Sequence, residues 1–299
     1  MRQARQRHWW WCSIVTLAVV TVLVALSGCE SADVLGADVT SATDTESGSD
    51  TEDDPGPYTV TYDANGATDG TAPWEQTKTH GEDLTLADND GNLQRRGDSF
   101  TGWNTEADGT GTDYDSGAIY TTDADLTLYA KWTPVHQIGD LRLFGIVFYD
   151  KGEYTDDWRY LEVAHVSTEW TGIVWGGFGT EVGPSAQGTS IGTGRANTEA
   201  ILAELGDGGY AARRCADLSL SLLLPGFSPV DDWFLPSKEE LNLIYENLHL
   251  EGLGDFTDAG YWSSSELDSD MAYFQYFGDG FQFPLDKSME YRVRAVRAF

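Results

Sequence analysis

The sequence predicts a β-rich α+β protein built from two folded modules. Three observations predict it. Short alternating segments rich in Tyr, Trp and Thr recur between Asp- and Gly-containing turns over residues 58 to 133. Apolar strand-like runs surround one clearly capped amphipathic helix over residues 138 to 299. A chain of 299 residues with 11 Trp, 14 Tyr and 12 Phe has length for two domains and aromatic mass for their cores.

The chain opens as an address. Arg2, Arg5 and Arg7 form a positive region, and Ser13 to Leu26 is apolar, a pattern of signal-peptide length that is short for a bilayer-spanning helix. Leu26-Ser-Gly-Cys29 follows and resembles the lipobox of bacterial lipoproteins. The resemblance implies cleavage after residue 28, lipid on Cys29, and a mature protein outside the cytoplasm in the cell envelope, at an outer membrane or cell surface. The alternative is an uncleaved anchor with Trp9 to Trp11 at the interface. Residues 29 to 57 hold nine acids, no Lys or Arg and no aromatic residue. They read as an acidic disordered tether kept extended by self-repulsion.

Charge and cysteines narrow the function classes. The formal net charge is -31, and every mature segment is acidic, so phosphate backbones are repelled and nucleic acid is not an expected partner. Of Cys12, Cys29 and Cys215, the lipobox resemblance implies that the first leaves with the leader and the second is acylated. A disulfide or multi-thiolate metal site is then excluded, and Cys215 reads as a small core residue on a helix.

In the first module, residues 58 to 133, Tyr58 to Tyr62 reads as a strand running into the Asp63-Ala-Asn-Gly66 turn. Further strands are expected at Asp83 to Ala87, around Phe100 to Trp103, and at Leu126 to Trp132. The words Val60-Thr-Tyr-Asp-Ala-Asn-Gly66, Ser99-Phe-Thr-Gly-Trp-Asn-Thr105 and Thr122 through Trp132 resemble one Listeria-Bacteroides repeat, the internalin B-repeat. That implies a compact β-grasp-like spacer of surface proteins without catalysis. Asp88-Asn-Asp-Gly-Asn92 is the best calcium loop, but Leu93 and Ser99 stand where an EF-hand needs Gly and Glu. No cofactor is expected, and calcium is the one ion worth testing.

In the second module, residues 138 to 299, strands are expected at Leu141 to Tyr149 and Tyr160 to Val166, and a helix at Asn197 to Leu205. After Pro236, Ser237 and Glu240 form a capping box, and Leu241, Ile244, Tyr245 and Leu248 share one helix face. Met271 to Phe277 and Phe281 to Leu285 form a hairpin around Gly278-Asp-Gly280. Tyr291 to Phe299 reads as one closing strand that could pair with the first.

Gly145-Ile-Val-Phe-Tyr149, Ile191-Gly-Thr-Gly194, Ala196-Asn-Thr198, Asp232 through Asn242, Tyr261-Trp-Ser-Ser-Ser-Glu266 and Tyr291 through Arg297 resemble the C-terminal domain of the Legionella collagen-like adhesin, also called the Fibrobacter major paralogous domain. The resemblance implies a C-type-lectin-like α+β fold on surface proteins, distantly related to the formylglycine-generating enzyme. In the adhesin the domain binds sulfated polysaccharides. This copy, with twenty-six acids against eleven bases from residue 135 onward, is a poor match for long polyanions.

Catalysis finds no support in the pattern. Gly188-Thr-Ser-Ile-Gly192 fits the hydrolase elbow in letters but is flanked by loop-like residues. The enzyme relative works through a cysteine pair, which a lone Cys215 cannot supply. The histidines lack metal-ligand spacing. Neither the Glu-Pro-Asn nor the Gln-Pro-Asp triplet of calcium-dependent lectins occurs. The candidates for ligand contact are Trp233, Tyr261, Trp262, Glu266, Tyr273 and Tyr276, with Phe274 and Phe281 beside them. Aromatic faces suit sugars or peptide anchors, and a carboxylate can orient hydroxyls. Burial in the core is the commoner fate of such residues, and Arg292, Arg294 and Arg297 suit internal ion pairs.

The sequence thus predicts a non-enzymatic lipoprotein of the bacterial envelope, held on the membrane by its lipid and displaying a domain for adhesion to glycan or to a surface or matrix protein. Its rivals are an extracellular glycan-active enzyme and a structural envelope component docked on another protein.

Overall fold

The computed structural model describes residues 56–222, 226 and 228–299. The leader, Cys29 and all but the last two residues of the tether lie outside the described residues.

The first module is built from strands. β1 (Tyr58–Asp63) runs into a turn in which Asn65 and Gly66 both take positive φ, the conformation that Asn-Gly supplies most cheaply. β2 (Gln76–Lys78) pairs antiparallel with β1. The strand expected at 83 to 87 shrinks to β3 (Leu84–Thr85), paired with β6 (Ile119–Tyr120). β4 (Asp98–Asn104), β5 (Asp113–Tyr114) and β7 (Leu126–Pro134) complete a sheet in the order β2-β1-β7-β4-β5. The first and last long strands are parallel neighbours at its centre. Their inward residues Val60, Leu128 and Ala130 pack on Trp103, Leu86, Leu93 and Tyr120. The Trp103 indole N–H is satisfied by the Ala87 carbonyl at 2.9 Å, so the large ring is buried without an orphaned donor.

The second module opens with β8 (Gly145–Thr155) and β9 (Trp158–Ala164). β8 starts at Gly145, not at Leu141, because Leu141 and Leu143 are exposed. β9 does not alternate between buried and exposed positions. Its residues from Arg159 to Ala164 are all buried, since core packs against both faces and Glu162 is held there by arginines. β10 (Trp170–Val174) precedes the helices α1 (Gly194–Leu205), α2 (Ala211–Ala216) and α3 (Lys238–Ile244). The Ser237–Glu240 capping box closes as expected, and a π-helical turn, Tyr245–His249, extends α3.

β11 (Gly260–Glu266), β12 (Met271–Tyr276), β13 (Gln282–Asp286) and β14 (Glu290–Val293) join β10 in a sheet of order β10-β14-β11-β12-β13. The predicted closing strand is in fact two. β14 lies beside β11, the chain bends at Arg294 and Ala295, and β15 (Val296–Ala298) joins a second sheet of order β15-β9-β8. The last strand therefore pairs with β9 instead of the first strand of the module. One core gathers Trp175, Ile201, Cys215, Trp233, Trp262 and Phe274, and the other Phe148, Leu161, Ile244, Leu248, Tyr261 and Phe277. Cys215 is buried and free, and burial pushes its thiol pKa up, which makes it inert packing.

Residues of both modules belong to one compact unit. Buried Arg159 of β9 reaches Asp98 Oδ2 of β4 at 2.6 Å and grips Asp150 through Nε at 2.7 Å and Nη2 at 3.1 Å. The Tyr160 hydroxyl donates to the Gly97 carbonyl at 2.8 Å.

Candidate functional site

Three ion clusters occupy the interior of the second module. The Lys287 ammonium donates to Glu266 Oε1 at 2.6 Å and to the carbonyls of Thr180 at 2.9 Å and Ser269 at 3.2 Å. Glu266 also accepts from Val182 N–H at 2.9 Å and Gly183 N–H at 2.7 Å. Every ammonium proton has an acceptor, so this fully buried pair is satisfied and has no valence left for a substrate. Glu169 takes Arg292 and Arg294, and the Tyr261 hydroxyl donates to it at 3.2 Å. Glu162 lies 2.8 Å from Arg142 and 3.5 Å from Arg297. Its burial pushes its carboxyl pKa up, against the opposing pull of those arginines.

These contacts reassign most of the expected ligand face. Glu266, Tyr261, Trp262 and Trp233 are at most 3% exposed. The Trp262 indole donates to the Ile173 carbonyl at 3.0 Å and the Trp233 indole to Val230 at 3.2 Å. These four side chains are core and cannot touch a ligand in this conformation. The reason is topological, because β11 is a central strand and all seven of its residues are buried. Phe274 is buried too, edge-on to Phe283 with ring centroids 4.6 Å apart.

The serines of the Tyr261–Glu266 word have the same fate. Asn197 Nδ2 bonds the Gly188 carbonyl at 2.6 Å and Ser264 Oγ at 3.1 Å, while Ser265 Oγ donates to the Gly188 carbonyl at 2.6 Å. Glu240 accepts from Gly192 N–H at 2.8 Å and Ser237 N–H at 2.7 Å. Burial raises its carboxyl pKa despite those bonds. A Cβ on Gly194 would lie 2.2 Å from Glu240 Oε2, which explains the Gly-Thr-Gly word as close packing. The Gly188–Gly192 segment is not preceded by the strand a hydrolase elbow needs, and the Ser190 carbonyl receives Thr193 Oγ1 at 2.6 Å and Ser237 Oγ at 2.9 Å. His249 is turned to Asp258 at 3.3 Å and to the Phe277 ring.

What remains outside is the edge hairpin. Tyr273 is half-buried beneath the Lys238 ammonium, 5.3 Å from its ring centroid. Tyr276, Phe281 and Phe283 are 40%, 68% and 43% exposed. Phe283 was not singled out by the sequence. Its alternation with Gln282 and Pro284 was the available signal, and the edge position of β13 decides the outcome. Pro284 lacks a donor, so this edge resists simple strand addition while its aromatics stay displayed. No group of three or more His, Cys, Asp or Glu suited to a metal occurs among the described residues, and the Asp88–Asn92 loop is no exception. The Asn89 side chain is spent inside that loop on Leu93, at 2.7 and 3.1 Å.

Comparisons with known proteins reach part of the chain. Two proteins of Evansella cellulosilytica named as membrane proteins, one of them Gly-rich, are similar to a segment of it. They are 40% identical over 76 residues and 37% identical over 81 residues, in each case 25% of this chain. The matches take up 11% and 9% of those relatives, so the chain spans about a tenth of their length. A crystal structure of a fimbrial protein from Bacteroides ovatus aligns over 81% of this chain and 69% of its own at 13% identity and a TM-score of 0.39, too loose a superposition to define a shared fold. Residues 58–131, which run from β1 to within β7, match the model of the Listeria-Bacteroides repeat domain, and the chain carries that domain there.

Proposed function

We propose that the chain is a non-enzymatic lipoprotein of the bacterial cell envelope, tethered through lipid on Cys29, that recognises a glycan or a surface protein by contact. In this reading the second module belongs to the family of the Legionella collagen-like adhesin C-terminal domain, with its C-type-lectin-like fold. The repeat domain acts as a spacer fused to it.

The observation that carries the reading is the contrast between interior and edge. The strongly buried carboxylates Glu162, Glu240 and Glu266 are engaged by arginines, backbone N–H groups or Lys287. Meanwhile Tyr276 at the end of β12, Phe281 in the hairpin turn and Phe283 on the edge strand β13 are exposed. Exposed aromatics beside a closed polar interior serve contact, not bond chemistry. Similarity of a quarter of the chain to parts of proteins named as membrane proteins supports an envelope location.

The test is a binding screen of the full chain against glycan arrays and matrix proteins, with and without calcium, repeated with Tyr276→Ala and Phe281→Ala. A ligand lost tenfold or more in these variants, which should keep the wild-type melting temperature, supports the reading. Absence of any ligand contradicts it, and indifference of every ligand found to both substitutions contradicts the assignment of recognition to the hairpin.

A further inference from the structure

A groove lies where the repeat domain meets the β8–β9 hairpin. Its main hollow, about 430 Å³, is walled by Gly66, Thr68, Arg95, Arg96, Glu153 and Tyr154 among others. It shares Arg95 and Arg96 with a 210 Å³ hollow reaching Phe100 and Trp132, and Arg96 and Tyr154 with a 230 Å³ hollow reaching Tyr160 and Phe299. Together they are ample for a small ligand. The repeat domain has four Lys or Arg residues from 58 to 134, and the adjacent pair Arg95 and Arg96 both face this one groove.

Each guanidinium is laid on an aromatic ring. Arg95 lies 5.3 Å from the Trp132 centroid and Arg96 4.6 Å from that of Tyr154. Arg95 is also tied to Asp98 at 2.9 Å, and Arg159 balances that carboxylate. Arg96 is exposed and has no ion pair among the described residues. Stacking holds its planar fork in place while leaving its donors open, the arrangement that receives a carboxylate bidentately. The half-buried faces of Phe100 and Trp132 beside it suit the C–H face of a sugar ring. Beyond Arg95 the next hollow carries Glu106 and Asp108 beside Lys131, which is itself paired with Asp113, so a longer polyanion gains no further free cation there and the site is matched to a short ligand.

The geometry points to a binding site for a short carboxylated saccharide, a uronate, centred on Arg96 between Tyr154 and Trp132. This site is separate from the hairpin aromatics and deepens the recognition role proposed above, on which its biological sense rests. Its chemistry is tested independently of the hairpin.

The experiment is calorimetric titration of the full chain with trigalacturonate, beside maltotriose as neutral sugar and triglutamate as acidic peptide. Arg96→Ala should weaken trigalacturonate at least tenfold, and Glu153→Gln, which removes a rim carboxylate, should tighten it. Tyr276→Ala should leave it unchanged. Circular dichroism checks that the variants are folded, and exposed Arg96 and Glu153 leave the core intact. No trigalacturonate binding, equal binding of maltotriose or triglutamate, or indifference to Arg96→Ala in folded protein would each overturn the assignment. Loss through Tyr276→Ala but not Arg96→Ala would move the ligand to the hairpin instead.

Discussion

Lys287 and Glu266 are a pair whose worth depends on both members being present. Removing the lysine alone strands a buried carboxylate, and such a loss costs about 3–5 kcal/mol. Lys287→Met is therefore expected to lower stability by several kcal/mol in urea unfolding, whereas the double change Lys287→Met with Glu266→Gln should recover part of it. Equal losses in both variants would mean that the pair is not coupled. At Asp150, burial alone would raise the carboxyl pKa, but hydrogen bonds from Arg159 and Gly152 N–H outweigh it and the net shift is downward. A depressed folded pKa contributes stability above the unfolded value, about 3.9, and loses it as pH falls through the folded one. Melting temperatures should thus show an Asp150-dependent loss only below about pH 4, and Asp150→Asn should flatten that segment of the curve.

Capping residues mark how much was legible at the level of elements. Ser237, Glu240 and the Leu241–Leu248 face announced α3 because capping and helical period are local signals. The β12–β13 hairpin and the Asn65–Gly66 turn were legible for the same reason. β2 was not, since Gln76–Lys78 shows no apolar alternation and holds its place by pairing with β1, with Lys78 buried against Asp123 at 2.6 Å. The break between β14 and β15 left only a faint mark, because alternation from Tyr291 holds through Ala295 and slips by one residue at Val296, and the tertiary fold then sends the two halves to two sheets. The candidate site suffered most. A run such as Tyr261-Trp-Ser-Ser-Ser-Glu266 looks identical on a central strand or an edge, and strand order is non-local. Ser237→Ala should cost about 0.5–2 kcal/mol. Gly194→Ala should cost about 1–3 kcal/mol through its clash with Glu240. Both are read by denaturant midpoints, and a neutral Gly194→Ala would refute the close-packing account of that loop.

The whole molecule joins a Listeria-Bacteroides repeat domain to a second α+β module through Arg159, Asp98, Asp150, Tyr160 and Gly97. That junction predicts cooperative unfolding. Calorimetry of the native chain should show one transition for both modules, and Arg159→Ala should separate it into two, while two transitions in the native chain would mean that the modules are independent. The envelope reading rests on Cys29. It is tested most directly by the mass of the N-terminal peptide of the mature protein recovered from bacterial membranes. The account predicts a peptide that begins at Cys29 and carries the mass of a thioether-linked diacylglycerol. A peptide beginning elsewhere, or one with an unmodified Cys29, would contradict it.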